Sequence, residues 1–222
     1  MRTFAIIPTH NRHAMLPGLV GSLELPSDRV LVIDNASSPP VTDLEATVVR
    51  DDEQPPNISR LWNIGLDWAR EQAGDAEYAV AVLNDDLVLP PRFLDVMVDA
   101  LRRTGAAAAF PARVEGLEEL HLTTSGPVPR QARMTGFAFV LRGSAGLRAD
   151  ERFRWWCGDD DLEWTARERG GTVRVPLTVE HLHPGASTDA NPVLEARTRL
   201  DMDAFVEKWG RRPWREPAQD LK

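Results

Sequence analysis

In VAVLNDDLVLP, residues 80–90, an apolar run stops at Asn84, Asp85 and Asp86, and a second short apolar run leads into a proline pair at 90 and 91. The first run reads as a buried strand, yet carboxylates resist burial unless they are paired or bound to a cation. Either the two aspartates cap a loop or helix, or they hold something positively charged. The rest of the chain decides between these readings by what else it brings to the same edge.

Upstream, TFAII (3–7), RVLVID (29–34) and ATVVR (46–50) read as buried strands, and YAVAVL (78–83) is the strand that ends at Asn84. Helical spacing of Met15, Leu19 and Leu23 fills the first gap. After Pro55-Pro56, Asn57 suits an N-cap, and Ile58, Leu61, Trp62, Leu66 and Ala69 share one helix face. Phe93, Leu94, Met97 and Leu101 mark another helix, and AAAAF (106–110) another strand. Such alternation predicts an α/β fold with a mostly parallel central sheet flanked by helices. Beyond residue 110 the pattern turns mixed: LHLTTSG, ARMTGFAFVLRG and TVRVPLTVEHLH look extended, DLEWTARERGG reads as a helix stopped by glycine, and residues 193–209 look helical. We expect residues 1–110 to form one functional half and 111–210 the other half of the same domain, with 211–222 a polar tail that frays.

The 222 residues carry a net charge of −8, from 26 Lys+Arg against 34 Asp+Glu. That balance disfavours a nucleic-acid partner but leaves room for a small anionic ligand met by local arginines or a metal. The hydrophobic share, 42%, is enough for a sizeable core. A lone cysteine, Cys157, fits a reducing compartment and has no partner that marks it as a nucleophile. No signal peptide or membrane-length apolar segment is expected, so the predicted location is cytoplasmic.

Open α/β sheets bind ligands beyond the carboxyl ends of their strands. The first strand ends in Pro8, Thr9, His10, Asn11 and Arg12, the second in Asp34, Asn35, Ala36, Ser37 and Ser38, and the fourth in Asn84, Asp85 and Asp86. Parallel strands put these clusters on one edge, offering Asp34 to a base or ribose, Thr9 and Arg12 to phosphates and Asp86 to a cation.

The motifs IIPTHNR, VIDNASS, NISRLWNIGLDWA, VLNDDLVLPPRFLDVMV, TGFAFVLRG, GDDDLEWTARERGGTVRVP and VEKWG, in this order, resemble glycosyltransferase family 2 with its GT-A fold. The resemblance covers about residues 3–210. It implies a metal-dependent, inverting transfer from a nucleoside diphosphate sugar to a hydroxyl on a glycan, lipid-linked glycan, protein or small molecule. It puts Pro8, Thr9, Arg12, Asp34, Asn35, Asn63, Asn84 and Asp85 around the donor. Its DXD triplet falls on Asn84, Asp85 and Asp86, with Asn where Asp is usual, so Asp86 becomes the ligand for Mn²⁺ or Mg²⁺. His181 or His183 would stand beside the metal. The general base falls on Asp159, with Asp160 as the alternative, and Gly158 takes a place often held by an acidic residue. Trp155 and Trp156 stack on a sugar or pack in the core. A sugar-1-phosphate nucleotidyltransferase would want a glycine-rich basic loop after the first strand, which PTHNRHAMLPG does not supply. A non-catalytic sugar-nucleotide binder stays open.

Overall fold

The computed structural model describes residues 1–183, 186–189 and 191–214. The described residues form ten strands: β1 (Arg2–Thr9), β2 (Val30–Asn35), β3 (Thr47–Asp51), β4 (Tyr78–Leu83), β5 (Leu87–Val88), β6 (Ala108–Ala112), β7 (Leu120–Leu122), β8 (Ala138–Arg142), β9 (Thr172–Thr178) and β10 (Glu180–His181). The helices are α1 (Leu16–Ser22), α2 (Ile58–Ala73), α3 (Phe93–Thr104), α4 (Gly158–Glu168), α5 (Ala186–Asp189) and α6 (Pro192–Trp209).

Eight strands make one sheet in the order β3-β2-β1-β4-β8-β6-β9-β7. The pairs β1–β2, β1–β4, β2–β3 and β6–β9 run parallel, whereas β8 runs antiparallel between β4 and β6 and β7 runs antiparallel to β9. The sheet is thus mostly parallel, as expected, and draws strands from both sides of residue 110. A separate two-stranded sheet joins β5 to β10. β10 falls within TVRVPLTVEHLH, the stretch read as extended, whereas β5 is too short to show a periodicity of its own.

Strand alternation sorts the core into two faces. Ala5 and Ile7 of β1, with Val30 and Val32 of β2, pack against Leu16, Leu19, Phe93, Met97 and Leu101 of α1 and α3. Phe4, Ile6, Leu31 and Ile33 turn the other way, onto Leu61, Trp62, Leu66 and Ala69 of α2 and Leu162 and Ala166 of α4. A third cluster joins Phe153, Cys157, Trp164 and Phe205, anchoring α6 on α4. Asn57 caps α2 by accepting from Arg60 N at 3.2 Å.

Close packing of α2 on β1 depends on Gly65, where a Cβ would lie 2.6 Å from both Ile6 Cδ1 and Cγ2 and 2.8 Å from Ile6 Cβ. Overpacking of this kind costs about 1–3 kcal/mol. Gly65→Ala therefore lowers the thermal midpoint by roughly 2–12 °C, given about 2–4 °C per kcal/mol for a chain of this size. A midpoint equal to wild type would remove the close-approach explanation. No helix among the described residues is long and apolar enough to cross a membrane.

Candidate active site

The carboxyl ends of β1, β2 and β4 converge, as parallel pairing of Thr9 with Asp34 and of Ile6 with Val82 requires. They do not all reach the same surface. A cleft of about 830 Å³ is lined by Arg12, Asn84, Asp85, Asp86, Arg113, Arg130, Arg133, Thr135, Gly136, Asp159, Asp160, His181 and His183, with Trp62, Trp155, Trp156 and Trp214 among its apolar walls. Its size and mixed lining suit a small-molecule site.

At one end stand the aspartates of the opening motif. Asp85 accepts a hydrogen bond from Thr9 Oγ1 at 2.7 Å, so Thr9 supports the site from beneath. Burial raises the Asp85 pKa, and the neighbouring Asp86 adds to this against the opposing pull of Thr9 and Arg12. Asp86 is buried and answers differently. Burial pushes its carboxyl up too, but His181 and Arg12 outweigh it and hold the group below its ordinary value.

The β5–β10 pairing puts His181 opposite Leu87, and Leu182 N donates to Asp86 O at 3.0 Å. His181 Nε2 consequently lies 3.0 Å from Asp86 Oδ1. Asp86 Oδ1 nevertheless has no well-directed hydrogen bond among the described residues. A buried carboxylate oxygen and an imidazole nitrogen that approach without aligning suit a shared cation. No group of three or more His, Cys, Asp or Glu among the described residues is arranged to hold a metal alone. The pair fits a cation that takes its other ligands from water and phosphate oxygens, as Mg²⁺ commonly does. His183 lines the cleft wall and is exposed.

Several donor-side expectations fall on residues outside the cleft lining. Asp34 is buried with its oxygens in use, accepting from Ser37 N at 3.0 Å, Val41 N at 3.0 Å and Arg50 Nη1 at 2.9 Å. It braces the loop after β2. Asn35 donates to Asp51 Oδ2 at 2.8 Å and Glu53 O at 3.1 Å and accepts from Gln54 at 2.9 Å, so its amide joins β2 to the segment after β3. Pro8 is the next-to-last residue of β1 and half-buried. Asn63, expected at the donor, also lies outside the cleft lining. Its amide donates to Ala149 O at 2.9 Å and Glu151 Oε1 at 2.8 Å and accepts from Ala149 N at 3.0 Å. The Asn-x-Gly segment joins α2 to its neighbours instead. His10 and His13 bond the backbone oxygens of Asn35 (2.6 Å) and Pro39 (2.8 Å).

The other end of the cleft belongs to the first turn of α4, which carries Asp159, Asp160 and Asp161. Each has a separate environment. Asp161 accepts from Trp209 Nε1 at 2.7 Å and has Lys208 Nζ at 2.7 Å, tying α4 to α6. Asp160 is buried and accepts two bonds from Arg133. Burial and the adjacent Asp159 push the Asp160 carboxyl up while Arg133 pulls it down. Asp159 is left half-buried in the cleft wall. A Cβ on Gly136 would come 3.2 Å from Asp159 Oδ2, so the glycine makes room for this carboxylate.

Gly158 has a spatial reason as well. A Cβ there would meet Ser59 Oγ at 2.6 Å, and that hydroxyl is held by Phe153 O at 2.6 Å. Buried Cys157 sits at a positive φ of 59°, and burial pushes its thiol up, which suits an inert side chain. Trp155 and Trp156 are fixed by α6: Asp201 accepts from their backbone N–H groups at 2.7 and 2.8 Å. Trp156 remains 42% exposed and is thus not a core residue.

The sequence reading missed Arg113, Arg130 and Arg133. The signal was present in RQAR, which spaces two arginines three apart just before the TGF motif. Trp214, within the stretch expected to form a polar tail, bridges to Val128 and lies under the Arg133 guanidinium, 5.0 Å from ring centre to Cζ. The rest of that expectation, residues 215–222, lies outside the described residues.

A family model described as glycosyl transferase family 2 matches residues 4–143. Among solved structures, residues 1–349 of S. aureus TarS align with a TM-score of 0.57 at 13% identity, covering 89% of this chain and 65% of that one. The complex of the same TarS fragment with UDP-GlcNAc gives 0.53 at 13%, covering 95% and 73%. A longer TarS structure gives 0.52 at 13%, with 80% of this chain against 37% of that one. At such identity the likeness is one of fold, and the chain spans only part of these proteins. No curated protein matches the chain.

Proposed function

Because the chain belongs to glycosyltransferase family 2, we propose that it moves a sugar from a nucleoside diphosphate sugar to a hydroxyl acceptor in a metal-dependent, inverting reaction. One observation carries the reading. A single cleft holds a buried carboxylate oxygen that lies 3.0 Å from an imidazole nitrogen without a well-directed hydrogen bond, and also a separate carboxylate, Asp159, at a helix start. In this reading residues 1–110 supply the donor half and 111–210 the acceptor half.

Asp86 and His181 are the residues that would hold Mn²⁺ or Mg²⁺. A cation so held offsets the negative charge gathering on the leaving diphosphate. Arg12, whose charge is felt by Asp85 and Asp86, is positioned to meet the same phosphates. Trp62, Trp155 and Trp156 give the sugar apolar faces and exclude water. Asp159 accepts the proton of the acceptor hydroxyl as its oxygen attacks the anomeric carbon. The bond to the diphosphate breaks as the new bond forms on the opposite face, so the configuration inverts. A double displacement would ask for a second free carboxylate beside the sugar. The commitment of Asp160 to Arg133 favours the single step.

The test is a thermal-shift panel of UDP, GDP and dTDP, each with and without Mn²⁺. The TarS complexes with UDP and UDP-GlcNAc make uridine the first base to try. A ligand at a hundred times its Kd stabilises by about 2.7 kcal/mol, which predicts a rise of roughly 5–11 °C that needs the metal. A flat panel with Mn²⁺ present would sink the reading.

A further inference from the structure

The acceptor end of the cleft carries more positive charge than its own carboxylates use. Arg113, Arg130 and Arg133 all line it, against Asp159 and Asp160. Arg133 is paired with Asp160. Neither Arg113 nor Arg130 makes an ion pair among the described residues, and Arg113 Nε is buried without a hydrogen-bond partner. Thr135, 1% exposed, lines the same wall with its hydroxyl also unpartnered. Leaving such groups unsatisfied costs free energy that a bound ligand would recover. In a chain of net charge −8, unpaired arginines inside a cleft are a local reversal of sign.

The arrangement is also built rather than left to a loose loop. Arg167 donates to Gly126 O at 2.8 Å and Arg174 to Gln131 O at 2.8 Å, fastening the segment that presents Arg130 and Arg133. Arg167 is itself locked to Glu163, both fully buried. The Trp214 ring lies against the Arg133 guanidinium. Burial and the like charges of Arg133 and Arg130 push the Arg113 guanidinium down, against the pull of Asp159 and Asp160. An added anion would relieve that repulsion.

Resting on the glycosyltransferase reading, we infer that the acceptor carries an oxyanion, a phosphate or carboxylate near its reactive hydroxyl, gripped by Arg113 and Arg130 with Thr135 alongside. Guanidinium groups match such oxyanions in geometry and stay charged when desolvated. The subsite would both orient the acceptor toward Asp159 and reject neutral sugars, since these leave the arginines unpaired.

The experiment uses the full chain at constant ionic strength, with methyl phosphate and acetate as probes of the two anion types. Each is titrated alone and with the preferred nucleoside diphosphate and Mn²⁺ at saturation. Either probe at ten times its Kd raises the midpoint by about 3–6 °C, on top of the nucleotide shift. Which probe does so identifies phosphate or carboxylate. Arg113→Gln and the exposed Arg130→Gln each remove this added shift while the nucleotide shift persists, which also shows that the variants fold. No added shift from either probe overturns the inference, and so does a shift that survives both substitutions. An anion shift abolished by the nucleotide would mean a phosphate site on the donor side, which overturns it too. A shift from the glucuronate form of the nucleotide that exceeds that of its glucose form and is lost in Arg113→Gln would move the subsite to the donor sugar and overturn the inference as well. A flat nucleotide panel accompanied by an Arg113-dependent anion shift would instead fault the underlying reading and leave the anion site standing.

Discussion

Asp159→Asn lowers turnover by about 10²–10⁴-fold, the range associated with a general base, and leaves nucleotide binding near the wild-type level. The amide keeps the volume of the carboxylate, so the neighbouring Gly136 keeps its spacing, but it no longer takes a proton from the acceptor. The informative comparison is Asp160→Asn, one residue along the same helix turn. Asp160 is buried and holds Arg133, so changing it leaves a guanidinium without its counter-charge. Breaking a buried pair costs about 3–5 kcal/mol. Asp160→Asn is therefore expected to appear first as a lower thermal midpoint, whereas Asp159→Asn should unfold at the wild-type temperature. Single-turnover rates and melting curves on both variants separate the roles. A full-speed Asp159→Asn enzyme would remove Asp159 as the base.

Most of the sheet could be read from sequence because its strands are short apolar runs closed by polar clusters. A strand buried on both faces has this signature, and β1, β2 and β4 each carry it. The helices α2 and α3 were legible from their apolar stripes, and Asn57 from its capping chemistry. The site was only partly legible. A polar residue at a strand end can face the ligand or brace the loop behind it, and sequence does not distinguish the two. Asp34 and Asn35 brace, while Asp86 faces the cleft. His181 comes beside Asp86 through a two-residue strand pairing that only the folded chain displays. Arg113 and Arg133, 20 positions apart, line one cleft beside a loop fastened by buried arginines, a long-range arrangement that no local spacing encodes.

Asp86→Ala abolishes the metal-dependent part of nucleotide binding, which the panel reads as loss of the difference between curves with and without Mn²⁺. The side chain that disappears is the buried member of the Asp86–His181 pair. Its oxygen has no well-directed hydrogen bond, so removing it should disturb the fold less than removing a satisfied group would. The backbone link from Leu182 N to Asp86 O survives the substitution, so β10 stays in place and His181 is still presented to the cleft. Any residual cation affinity then reports on His181 alone, and His181→Ala in the same background should remove it. The charge state of Asp86 sharpens the test. Its carboxyl is held below the ordinary carboxylate value, so it stays ionised above that value and loses its charge only as pH falls through the lowered one. Cation affinity measured between about pH 5 and 8 should then owe no pH dependence to Asp86. If Asp86→Ala kept the full Mn²⁺-dependent shift, the cation would have to bind elsewhere, and the pairing of β5 with β10 would be structural only.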